Sequence, residues 1–339
     1  MVLAVPLAVI GGRGCTPGVD ARPVAPAASD SSHRDPSGQR AEERPAGLEA
    51  LPASVETTAG PGDPNRGRDY LLNGEYMGCG IPKRLFDMGP KAEPHEKIAG
   101  RTGQNAELPY GFTVLENQGI PTVTSNCIRC HYGVLRGEVV PGLGNTLVDH
   151  TVNELALLSK AKPFLQNEAE TAAVDLYLER YGPAAERGQT RTLGVVPAYF
   201  SMSVMFAHRD PETWAWSKEP LLEYPEVVAP SDIPPWWRIR KKDHMYSTGA
   251  GTGNHIRFMM LASIACIDDT AKLEEVSRHF PDIFAYLYTL EPPKFPDVVD
   301  EALVTEGESV FEDNCSLCHG TYGENETYPN EVVDIDDVG

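Results

Sequence analysis

The sequence predicts a mainly α fold in two domains with long loop-rich insertions. Three observations predict it. Apolar residues recur at helical spacing in several separated stretches, as in Ala169, Ala172, Ala173, Leu176 and Tyr177. Gly (31) and Pro (29) together exceed the roughly 12% of average composition, which calls for extended irregular connections. One six-residue pattern occurs twice, far apart, as Asn126-Cys127-Ile128-Arg129-Cys130-His131 and Asn314-Cys315-Ser316-Leu317-Cys318-His319.

The 339 residues are enough for two or three small domains. Residues 2–10 form a short apolar run of signal-peptide length without a basic n-region, followed by Cys15. A cysteine after such a run fits a lipid anchor, although Arg13 departs from the small apolar residues expected there; a signal segment without lipid is the alternative. Residues 16–66 are rich in Ala, Pro, Ser, Gly and acidic side chains and predict a disordered tether. Together these segments point to a periplasmic or otherwise extracytoplasmic body. Order is expected from about Arg68, through a loop-rich stretch over 73–125 and a first domain spanning 67–295.

Behind the first Cys-x-x-Cys-His lies a tight loop, Gly142-Leu143-Gly144-Asn145. Thr151 is placed to cap a helix over 152–162. A second helix over 168–181 is expected to end at Gly182-Pro183. Residues 193–248 hold all four tryptophans, with His208-Arg209-Asp210-Pro211 before the first pair and Pro234-Pro235 before the second. Helices return at 255–265 and 270–279, then from Pro281 to about 290, where Pro292-Pro293 stops the chain's winding. A last helix over 300–314 leads into the second motif. The domain it opens, 296–339, is expected to be an incomplete one.

Cys-x-x-Cys-His is the attachment pattern of c-type haem. Two intervening residues bring both thiols to one edge of a porphyrin, and the adjacent imidazole faces the iron. Cys127, Cys130, Cys315 and Cys318 are therefore the expected covalent attachment points of two haem c groups, with His131 and His319 as proximal ligands. A shared zinc site is a poorer account, because the pairs lie far apart in sequence and zinc has no use for a histidine after each pair. A thioredoxin-like disulfide would want a strand before the motif, and no convincing one leads in. Cys79 and Cys266 remain, as either a disulfide or buried thiols.

The net charge of −20 argues against nucleic acid and favours a basic partner. No run of eighteen apolar residues suits a membrane-crossing helix.

The widely separated motifs, Gly142 to Asn145, His208 to Pro211, Pro235-Trp236-Trp237 followed by Lys241-Lys242, and the Gly-rich turn before Arg257-Phe258-Met259-Met260 resemble the di-haem cytochrome c peroxidase superfamily. Within it the pattern is closest to the rubber-oxygenase-like c-type cytochromes, over about 68–323. Gly307, Phe311 and the second motif likewise look like the opening of a class I cytochrome c domain. The resemblance implies two cytochrome c-like haem domains with a large insertion. It implies that one haem works on a small oxidant, peroxide or dioxygen, and that the other exchanges electrons with a redox partner protein. The reactive haem would be the one at His131. A tryptophan between the haems is implied as an electron relay, Trp237 first and Trp236 second, against the ordinary role of a core anchor. His150, His208, His244, His255 and Met245 are candidates by type for a second axial position, or else structural side chains. Arg238, Arg240, Lys241, Lys242 and Arg257 could neutralise propionates, or form a solvated basic face. A di-haem electron carrier without its own substrate is the alternative function.

Overall fold

The computed structural model describes residues 62–89, 91–237, 239 and 255–319, except for the side chains of His255, Arg257, Ala262, Ile264 and His319. The expected leader, Cys15 and most of the tether lie outside these residues, as do Arg238, Arg240, Lys241, Lys242, His244 and Met245. The chain divides into two units, one ending at Pro292 and one beginning at Pro293. The described chain is mainly α.

The first unit opens on α1 (Pro64–Asn73), earlier than the expected start near Arg68. Asp63 explains the difference. Its carboxylate accepts from the backbone N–H groups of Asn65 and Arg66, and its own N–H donates to Asp282 at 2.6 Å. Then follow β1 (Ile81–Pro82), α2 (Lys83–Phe86), β2 (Phe112–Asn117) and β3 (Ile120–Ser125). They form an antiparallel sheet in the order β1-β3-β2. The short α3 (Ile128–His131) carries the first motif, and β4 (Tyr132–Leu135) pairs with β5 (Glu138–Pro141).

The stretch expected to be loop therefore holds a sheet. Its β2–β3 hairpin and the separate β4–β5 hairpin beyond it each turn on two residues, Gln118-Gly119 and Arg136-Gly137, with all four φ values between 53° and 85°. That is the turn whose twist matches paired strands, and the glycine at its second position makes it inexpensive.

Helices resume with α4 (Leu155–Ala161) and α5 (Glu168–Arg187). Thr151 does not cap α4: its N–H and hydroxyl both donate to Asp149. Nor does α5 end at Gly182-Pro183. It runs on to Arg187 with Pro183 inside, because Ala184 in its last turn is buried against Phe200 and Val204. Next come α6 (Ala198–Ala207), a short strand pair β6 (Val195–Val196) and β7 (Ser231–Asp232), α7 (His255–Met259), a 3-10 turn Met260–Ala265, α8 (Thr270–Ser277) and α9 (Phe280–Leu287).

The main core joins α1 and α9 to the motif: Leu71, Leu72, Tyr76, Ile128, Tyr132, Trp236, Phe280, Ile283 and Leu287 are all buried in it. Each such side chain contributes about 1.5–3 kcal/mol of burial free energy. Cys79 and Cys266 are joined as a disulfide, 187 residues apart in sequence, beside Met205 and Ala265.

The second unit holds α10 (Glu301–Asn314), capped by Asp300, and α11 (Ser316–His319). Leu303, Val310 and Leu317, spaced seven residues apart, are all exposed.

Candidate haem-attachment site

β3 delivers the chain directly to Cys127, so a strand does lead into the first motif. It is a hairpin strand, however, and only one helical turn follows before β4 departs. A thioredoxin-like site instead has a long helix behind its cysteines.

Asn126 fixes the start of that turn. Its side-chain amide donates to Thr113 Oγ1 at 2.7 Å and to the Tyr110 carbonyl at 3.1 Å, and its Oδ1 accepts from the Arg129 N–H. The buried Tyr76 hydroxyl donates to the Leu71 carbonyl and accepts from the Cys127 N–H at 3.4 Å. Arg129 is held by Glu154, with Nη2 3.0 and 3.1 Å from its two carboxylate oxygens.

The loop after β5 fixes the end of the turn. The Asn145 side chain donates to the Arg129 carbonyl, and its N–H donates to the Cys130 carbonyl, both at 2.8 Å. The two glycines before it are required by contact. A Cβ on Gly144 would meet the Ile233 carbonyl oxygen at 2.0 Å, and Gly142, at φ +81°, lies against the Trp237 indole. The quoted sequence Gly142-Leu143-Gly144-Asn145 is thus a clamp on the motif.

Residues 233–237 close the other side. The Trp236 N–H donates to the Gly142 carbonyl, and Trp237 Nε1 donates to the Pro141 carbonyl at 2.9 Å. Trp236 is buried and stacks on the His131 ring, with centroids 4.4 Å apart and planes 14° from parallel. Its other contact is edge-on to Tyr132, whose hydroxyl meets that of Tyr286 at 2.9 Å. Of the two tryptophans in question, the runner-up touches the motif histidine. Trp237 instead pins the loop after β5.

His131 Nδ1 lies 3.1 Å from the Pro234 carbonyl oxygen. A carbonyl only accepts, so Nδ1 carries the proton and Nε2 holds the free lone pair. Burial pulls the imidazole pKa down to about 4, against the opposing Pro234 bond, so the ring is neutral at pH 7. This is the state of a metal-ligating histidine, anchored through its other nitrogen. Pro234 was not legible as a site residue, since its contribution is a backbone oxygen. The only signal is the Pro234-Pro235 pair, which stiffens the backbone that presents it.

Cys127 and Cys130 are half-buried and unpaired, in a protein whose Cys79 and Cys266 are oxidised. Burial pushes the Cys127 thiol up to about 12, with Cys130 adding to the effect. Burial also raises Cys130, against the pull of Arg129. A thiol-disulfide catalyst needs the opposite shift. The residues fit a porphyrin edge: two adjacent thiols on one turn, and a neutral imidazole whose Nε2 bonds to none of the described residues.

In the second unit, Cys315 is half-buried and Cys318 exposed, one turn apart, with the Cys318 N–H donating to the Cys315 carbonyl at 3.2 Å. The His319 side chain lies outside the described residues. Among the described residues, no three His, Cys, Asp or Glu side chains gather as a metal-holding group.

Of the other candidates for axial ligands, His244, Met245 and the His255 side chain lie outside the described residues. His208 is buried, its Nδ1 2.8 Å from the Ser217 carbonyl, and it stacks on Trp216. His150 lies in the electrostatic neighbourhood of Arg129 and Glu154. Among the described residues no helix is long and apolar enough to cross a membrane. No family model, curated protein or solved structure matches the chain.

Proposed function

We propose that this chain is a c-type di-haem oxidoreductase that activates peroxide or dioxygen and passes electrons between two cytochrome c-like haem domains. Cys127 and Cys130 would hold one haem c, and Cys315 and Cys318 the other, with His131 and His319 as proximal ligands. The observation that carries the reading is the His131 geometry: Nδ1 bound to the Pro234 carbonyl, Nε2 bonded to none of the described residues, and two unpaired thiols on the same turn. Haem c, when bound, supplies a redox-active iron and a coordination position for a small oxidant.

The protein's own part is positional. The Pro234 carbonyl holds the Nδ1 proton, which fixes the ring orientation and raises the electron-donating power of Nε2. Trp236 covers one face of the imidazole and keeps water from it. Asn126 and Asn145 hold the two ends of the cysteine turn, so both sulfurs stay at fixed spacing. The Cys79–Cys266 disulfide supports an oxidising, extracytoplasmic setting, and the acidic surface favours a basic redox partner protein.

The test uses protein matured with haem and carrying Cys315→Ser and Cys318→Ser, so that only the His131 site is loaded. The reduced optical spectrum is recorded with and without carbon monoxide. An open catalytic position predicts a large Soret change. An unchanged spectrum would mean that protein holds both axial positions, and would make the chain an electron carrier.

A further inference from the structure

His131, Trp236, Tyr132 and Tyr286 form a continuous file of side chains. Trp236 lies nearly parallel to His131 with centroids 4.4 Å apart, and Tyr132 meets Trp236 edge-on at 6.4 Å. Tyr132 opens β4 and Tyr286 comes from α9, and their hydroxyls are 2.9 Å apart. Trp236 and both tyrosines are buried in the core cluster that holds Ile128 of the motif.

Tryptophan and tyrosine give up an electron more readily than other aromatic side chains. Electron transfer weakens steeply with separation, so rings in contact are the favourable steps. A tyrosine also gives up its phenolic proton when it is oxidised, and that proton needs a group to take it. The Tyr286 hydroxyl can both accept and donate, so it can receive the Tyr132 proton and pass on its own. Tyr76, the other hydroxyl set against the motif, differs: it donates to the Leu71 carbonyl, and an amide carbonyl does not take up a proton. Tyr286 is the less buried member of the pair, 8% exposed against 2% for Tyr132, so the proton leaves on its side.

We infer that Trp236, Tyr132 and Tyr286 form an internal electron source for the His131 site, with the hydroxyl pair at its end. The inference rests on the function proposed above, with peroxide as the oxidant. Peroxide takes two electrons as its O–O bond breaks and, with protons from solvent, leaves as water. One electron is drawn from the loaded site itself. The other comes from Tyr132 by way of Trp236. The Tyr132 O–H bond breaks as that electron leaves, its proton goes to the Tyr286 oxygen, and Tyr286 releases its own proton to water. The pair is left one electron and one proton short, as a neutral tyrosyl radical. All four residues lie in the first unit, so this route is separate from a tryptophan relay between two haems.

The experiment uses the full chain purified after haem maturation in the Cys315→Ser, Cys318→Ser background, so that a second haem cannot supply the electron. Samples mixed with hydrogen peroxide are frozen rapidly and read by electron paramagnetic resonance, with tyrosine either ordinary or ring-deuterated. Optical spectra before and after mixing report bound haem and its response to peroxide. The expected result is an organic radical signal that narrows with the deuterated tyrosine. Tyr132→Phe should abolish that response, and so should Trp236→Phe, which puts a ring that is hard to oxidise in the path. Tyr286→Phe keeps every ring and removes only the hydroxyl partner, so it should lower the tyrosyl yield several-fold, and it decides the matter if either other variant fails to fold. A wild-type signal indifferent to tyrosine labelling, a signal unchanged in Tyr286→Phe or in folded Tyr132→Phe or Trp236→Phe, or no organic radical although peroxide alters the optical spectrum, would overturn the inference and leave the proposed function standing. A chain without haem, or a haem spectrum indifferent to peroxide, would end the proposed function and the electron source with it.

Discussion

His131 has two ring nitrogens, and one of them is already committed. Its bond to Pro234 leaves Nε2 as the single lone pair the residue can offer, and the stacked Trp236 holds the ring where that bond needs it. The two adjacent tryptophans therefore differ in weight. Trp236 is buried and packs between His131 and Tyr132, so Trp236→Ala should cost about 3–5 kcal/mol of stability. Trp237 is half-buried and, among the described residues, its indole donates to the Pro141 carbonyl, so Trp237→Ala should cost only about 1 kcal/mol. Urea unfolding of the two variants side by side checks this, and equal losses would contradict it. At this scale the sequence made the motif cysteines and histidines legible, because their chemistry lies in side-chain type and spacing. It hid Pro234 because a carbonyl oxygen belongs to every residue. It ranked the tryptophans by resemblance, and what each one touches is not legible in side-chain type or spacing.

Among the elements, α5 ties the molecule together through its first turn. Arg84 of α2 donates Nε and Nη2 to the two oxygens of Glu170, each at 2.7 Å, and the Gln166 N–H adds a third bond. The Arg84 hydrogen bonds hold the Glu170 carboxyl below the ordinary range, against a smaller opposing effect of burial. A depressed carboxylate contributes stability above its unfolded pKa of about 4.3 and loses it as pH falls through the lower folded value. Glu170→Gln should therefore cost about 1–2 kcal/mol at pH 7, a figure kept low because Arg84 is a third exposed. The gap to the wild type should close below about pH 4. Urea midpoints from pH 3 to 7 would show it; a gap that widens in acid would refute it. Helices α5, α8, α9 and α10 were legible from apolar spacing and caps. The hairpins around the motif were not, because strands such as β2 (Phe112–Asn117) and β3 (Ile120–Ser125) are short and the two-residue turn of each hairpin carries only one glycine. Pro183 misled because its cost to the helix is outweighed by the burial of Ala184 beyond it.

Across the whole molecule, the first unit is closed by a disulfide and the motif cysteines are left unpaired. Seven cysteines, with the pairing partners 187 residues apart, gave no local sign of which would join. Removing the bond with Cys79→Ala and Cys266→Ala should lower stability by about 2–5 kcal/mol, measured as a fall in the urea midpoint. Added reductant should do the same to the wild type and nothing to the double variant. Sensitivity in the variant would mean that other cysteines had paired. The account stands on two covalent haems, and intact-mass spectrometry of the chain, produced with a c-type maturation system and denatured before measurement, tests that most directly. The predicted result is a mass increased by two haems, reduced to one by Cys315→Ser with Cys318→Ser and to the other one by Cys127→Ser with Cys130→Ser. An unshifted mass, with Cys127 joined to Cys130 or bound to zinc, would contradict it.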